Sequence, residues 1–204
     1  MHHVKLGWLS AAALPLALGA CNPSPVSSEA AKENTPQGAA PAADRNDPVA
    51  SAMAAGPAVI AEGATIVQAQ ADGSMKTLRE GSNGWTCMPD SPTTPGPDPM
   101  CMDANAAKWA AAWMGKKPPP ENVVGVIYML EGGTDASNVD PYATKPTSEN
   151  AWVNTGPHIM IVGSKDILAG HPAGASPNTS APYVMWADTP YAHLMVPVAA
   201  TAPQ

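Results

Sequence analysis

From Asn22 to Gly56 the chain has almost nothing to bury. The stretch NPSPVSSEAAKENTPQGAAPAADRNDPVASAMAAG is dominated by Pro, Ala, Ser, Asn and single charges and has no aromatic residue. Such a segment cannot offset its ordering entropy by removing apolar surface from water. Its composition predicts a flexible linker over residues 21–56, and a coil of about 35 residues spans ~30 Å on average. The fold must then come from residues 57–204, a length suited to a single domain.

The segment before the linker has three parts. Met1 to Lys5 is weakly cationic, Leu6 to Leu18 is apolar and broken by Pro15, and Leu18-Gly19-Ala20 closes it with small residues before Cys21. An apolar run of about 13 residues is shorter than the ~20 that span a bilayer, and the arrangement is that of a secretory signal peptide over residues 1–20. Leu18, Gly19, Ala20 and Cys21 occupy the four places of a lipobox, and here the sequence resembles the bacterial lipoproteins. The resemblance implies cleavage before Cys21, diacylation of its sulfur and acylation of its new amine. It implies a protein of the bacterial cell envelope, held to the lipid bilayer on the periplasmic side of a membrane or at the cell surface. Asn22, rather than Asp, follows the cysteine, which by analogy with enterobacterial sorting points to the outer membrane. Each buried CH₂ contributes ~0.8 kcal/mol, so several acyl chains make a firm anchor. The resemblance covers the leader alone; the domain resembles no family of known function.

Within residues 57–204, seven basic side chains stand against thirteen acidic ones. An acidic domain with scattered charge is a poor ligand for nucleic acid or for anionic lipid. Phe is absent, so Trp, Met, Val, Ile and Leu must build the core, with Met as the adaptable filler. If Cys21 is acylated, Cys87 and Cys101 remain as a pair in an oxidising compartment, and a disulfide between them is expected. Closing a loop of about 15 residues is worth ~3 kcal/mol in the chain-entropy model, less where prolines already restrict the unfolded loop. The alternative, two thiols on a metal, is opposed by their long spacing.

The pattern predicts an α+β fold: a mostly antiparallel sheet, one main helix over about 103–114 and one disulfide. Ala58–Gln70, Ser74–Arg79 and Trp85–Met88 read as strands of a meander, turned at Asp72-Gly73 and Gly81–Gly84. The helix has Asp103 as N-cap, six alanines, Trp109 and Trp113 four apart on one face, and Gly115 at its end. Val123–Leu130 reads as a central strand. Thr134–Asn150 reads as a polar loop, Lys165–Leu168 as a helical turn, and His158–Val162, Tyr183–Trp186 and Ala192–Val198 as strands.

One doublet carries chemical interest. His158-Ile159-Met160 and His193-Leu194-Met195 share the form H-x-M in strand-like runs, so the His and Met of each pair point to one face. If the strands are neighbours, two imidazoles and two thioethers converge, a donor set that suits Cu(I). Against this, both runs are apolar on both faces, and methionines there also make ordinary core. Asp135, Ser137, Asn138 and Asp140 have calcium-like spacing but lack the glycine and terminal glutamate of an EF-hand loop, so an Asx-turn loop is the better reading. No G-x-S-x-G elbow or phosphate-cradling loop is present. Three functions remain. The first is a non-enzymatic module binding a protein or small molecule, the second a copper-handling protein using the H-x-M pairs, and the third an enzyme of unrecognised type.

Overall fold

A computed structural model of the chain describes residues 46–94 and 96–198. The expected signal peptide, the lipobox-like residues with Cys21 and most of the expected linker lie outside the described residues. In chain order the elements are helices α1 (Pro48–Ala54) and α2 (Ala58–Ala61), strands β1 (Thr65–Ala69), β2 (Met75–Arg79), β3 (Thr86–Met88) and β4 (Met100–Met102), and helix α3 (Ala104–Met114). There follow β5 (Gly125–Met129), β6 (Gly133–Ser137), β7 (Trp152–Thr155), β8 (His158–Val162), a 3₁₀ turn at Asp166–Leu168, β9 (Tyr183–Met185) and β10 (His193–Pro197). Eight strands form one sheet in the order β2-β1-β3-β4-β5-β8-β10-β9, and β6 and β7 pair separately. Every pairing in the large sheet is antiparallel except β1 with β3. The fold is thus α+β, with α3 where the helix was expected and Cys87 joined to Cys101. Among the described residues no helix is long and apolar enough to cross a membrane.

Helix α3 starts at Asp103 because its carboxylate accepts from Asn105 N at 3.0 Å and Ala106 N at 2.8 Å, filling two of the helix's orphan donors. Its other oxygen accepts from Val126 N at 3.0 Å and ties the helix start to β5. The contact is close because β5 opens with Gly125: a Cβ there would sit 2.3 Å from Ala106 N. Ala106, Trp109 and Ala110 are the buried residues of α3. They pack on Met102, Ile127, Met129 and Met195 from the sheet.

The other core is built of alanines. Ala52, Ala55, Ala61 and Ala64, all fully buried, cluster with Ile66 and the Cys87–Cys101 pair. Here the folded part begins earlier than the linker composition predicts. Pro48 enters α1 behind Asp47, which accepts from Val49 N and Ala50 N. The face of α1 is small enough to lie against the disulfide, so a segment without large apolar side chains still buries surface. Helix α1, within the stretch read as linker, thus packs with the rest of the fold.

Three further local expectations are corrected. Ala58–Ala61 is helical, and β1, β2 and β3 do not form a meander. After the β1–β2 hairpin the chain crosses the start of β1 and pairs β3 in parallel on its far side. Gly81 makes the crossing, with an added Cβ placed 2.2 Å from Ala64 C and Thr65 N. Arg79 holds it there by donating to the Ala61 and Ala64 carbonyls. The expected polar loop after Thr134 contains strand β6, which pairs with β7.

Candidate functional site

Strands β8 and β10 are neighbours, and Met160 lies directly opposite Met195. Each flanking histidine has a methionine as direct cross-strand partner on its other side: Met129 for His158 and Met185 for His193. The period of two puts all six side chains on the face covered by α3. By register each imidazole therefore has three thioethers nearby: one across, one two residues along its own strand and one diagonal. All six residues line one cavity of about 260 Å³, walled also by Trp109 and Trp186.

The two H-x-M pairs thus meet in one cavity, but the imidazoles are not stacked together. His158 pairs with Pro197, four residues beyond His193 on β10. The backbone positions of the two histidines are about 13 Å apart along the strand direction, one at each end of the Met160–Met195 pair. Their side chains lean into the same cavity, close enough for His158 to act electrostatically on His193.

Both imidazoles are oriented alike. His158 Nδ1 lies 2.7 Å from the Gly156 carbonyl and His193 Nδ1 lies 2.9 Å from the Tyr191 carbonyl. A carbonyl can only accept, so each Nδ1 donates and each neutral ring carries its lone pair on Nε2. His193 is fully buried, and its Nε2 has no hydrogen-bond partner. Leaving such an acceptor empty costs about 1–3 kcal/mol. Burial pushes the His193 imidazole down to about 4, opposed by its bond to Tyr191 and aided by nearby His158. Burial also lowers His158. Both shifts favour the neutral form of the ring.

The wall around His193 is aromatic and strained. The His193 ring makes edge contacts with Trp109 at 5.3 Å and Trp186 at 4.8 Å between centroids. Trp186 has φ 55°, a left-handed conformation that costs a bulky residue about 1–3 kcal/mol. Its backbone N–H donates to Asn138 O at 2.9 Å and its indole N–H to Ser137 O at 2.7 Å. The end of β6 thus holds the indole over the cavity.

On its far side the cavity abuts an open cleft of about 470 Å³. Thr155, His158 and Met195 line both spaces. The cleft also touches Tyr183, whose buried hydroxyl has no partner and is pushed up by desolvation.

Two carboxylates reach the cavity rim, and both are engaged elsewhere. Asp98 accepts from Ser91 N at 2.7 Å and Thr94 Oγ1 at 3.0 Å. Burial outweighs those bonds and pushes Asp98 up to about 6. Asp140 accepts from Tyr142 N at 2.9 Å, an Asx turn. Each histidine's Nδ1 is oriented by a backbone carbonyl instead of a carboxylate, unlike a base prepared for nucleophilic catalysis. Among the described residues no three His, Cys, Asp or Glu side chains come together to hold a metal ion. Any metal held here must use thioethers.

Cys87 and Cys101 are opposite partners in the β3–β4 ladder, joined at an S–S distance of 1.99 Å, away from the cavity in the second core. Cys21 lies outside the described residues. Met129, Met185 and Trp186 belong to the site yet stood out in no sequence pattern. Their signal was the alternation Ile127-x-Met129 and Tyr183-x-Met185, which has the same apolar period as a plain core strand. Trp109 and Trp113, read as core anchors, do pack in the core, and Trp109 is also a cavity wall. The chain matches no protein-family model, no curated protein and no solved structure.

Proposed function

We propose that the chain is a lipid-anchored protein of the bacterial envelope whose domain is a non-enzymatic binding module, with the cavity between β8, β10 and α3 as its binding site. The observation that carries this reading is the bare Nε2 of fully buried His193 facing an interior space. Buried acceptors without partners are rare in folded proteins, and this one is completed by an incoming group. The strained Trp186 beside it supports the same reading, because backbone strain collects at sites built for a ligand. The anchor rests on the lipobox and the composition of the linker.

Native mass spectrometry of the full chain, purified from its own envelope in mild detergent, tests both parts. The expected spectrum has acyl mass on Cys21 and a non-covalent adduct that disappears in Ala110→Leu, which projects into the cavity. An unacylated mature chain contradicts the anchor. An adduct that survives the filling substitution contradicts the site.

A further inference from the structure

We infer that the cavity's ligand is a soft monovalent metal ion of the Cu(I) class, held by His193 Nε2 with the thioethers of Met195, Met185 and Met160. This rests on the cavity being a binding site and adds what it binds. The donor chemistry is selective. Thioether sulfur is a poor ligand for Ca²⁺ or Mg²⁺ and a good one for Cu(I). Of the rim carboxylates that could serve a harder ion, Asp98 has both oxygens bonded by Ser91 and Thr94, and exposed Asp140 has one bonded by Tyr142 N.

The histidine is prepared in the manner of a metal ligand. Its Nδ1–H is fixed by the Tyr191 carbonyl, which sets the tautomer and aims Nε2, the second contact that ligating histidines ordinarily make. His193 also sits at the crowded end of the sheet, where Met185 is its direct partner and Met195 lies two residues along. Indole rings on Trp109 and Trp186 exclude water from that end. His158 differs: it borders the open cleft together with Met195. It is placed on the path by which an ion passes from the cleft to His193. The fully buried His193 is thereby the holding ligand, and His158, which borders the cleft, the access ligand.

Silver(I), which is redox-inert, replaces Cu(I) as the probe. The full chain is freed of metal in detergent and a chloride-free buffer, titrated with silver nitrate, and passed through gel filtration. Retained silver is counted by plasma mass spectrometry, with tryptophan emission as a second readout. About one tightly retained silver per chain is expected, with emission changing over the same titration. His193→Asn keeps a donor for the Tyr191 carbonyl but removes Nε2, and it should weaken retention at least tenfold. The double variant Met185→Leu, Met195→Leu preserves volume and should do the same. Unchanged retention in both variants overturns the inference. So does a parent chain that retains no silver. If the parent retains no silver but still shows an organic adduct lost in Ala110→Leu, the metal is wrong and the cavity reading stands. If it shows neither, both fall.

Discussion

Met160 and Met195 face each other directly across the β8–β10 ladder, and each has a histidine two residues before it. Because the strands run in opposite directions, that spacing sends the two imidazoles to opposite ends of one thioether pair. One H-x-M pair alone would be a buried strand like any other. Two of them in this register build a pseudo-symmetric His/Met lining for a single cavity.

Replacing Met160 and Met195 by Leu separates packing from ligation. Leu and Met have similar volume, so the double variant should lose less than about 1.5 kcal/mol per site in urea unfolding. Silver retention should fall at the same time. A large loss of stability would mark these methionines as shape-critical core.

The buried histidines make stability depend on pH. The folded value of His193 is about 4, against about 6.5 in an unfolded chain. Between these values the unfolded chain binds more protons, so stability rises with pH. The contribution is fully present above about pH 6.5 and is lost as pH falls through 4. It amounts to about 3 kcal/mol for His193, and His158 adds in the same direction. Urea midpoints between pH 4 and 7 should show this slope, and His193→Asn should flatten it.

Gly125 sets how closely α3 covers the cavity. Ala at this position drives a Cβ into the backbone of Ala106. Gly125→Ala should cost about 1–3 kcal/mol as an overpacking change and should shift tryptophan emission as the helix lifts. Gly73→Ala is the contrast. Its Cβ meets nothing within 4 Å, and only its φ of +81° opposes it. Its loss should leave emission unchanged.

Breaking the disulfide tests the second core. The bridge closes a separation of 14 residues. Cys87→Ala with Cys101→Ala should lower stability by about 3 kcal/mol or somewhat less, read as a fall in the guanidinium midpoint. Both sulfurs are fully buried among alanines. The intact protein should therefore keep the bond in mild reductant until it unfolds.

The elements that make the site were legible where local signals agreed. Asp103, the alanines and Gly115 marked α3, and unbroken apolar runs marked β5, β8 and β10. Strand β4 was not legible, because three residues, Met100–Met102, carry no period. Helix α1 was hidden because alanine burial against a disulfide does not register as hydrophobicity. The crossing at Gly81 depends on a contact with β1 that no local pattern encodes. The H-x-M spacing showed that His and Met share a face. Only the register between strands decided that the two histidines flank a shared Met160–Met195 pair, each with one further methionine opposite it.

The most direct measurement is a proton–nitrogen correlation spectrum of the imidazole side chains at pH 7, with and without one equivalent of silver(I). His193 should appear as the Nδ1–H tautomer with a pyridine-type Nε2 resonance, and that resonance should move on adding silver while His171 stays put. A protonated Nε2 on His193, or a resonance unmoved by silver, would contradict the cavity as a soft-metal site.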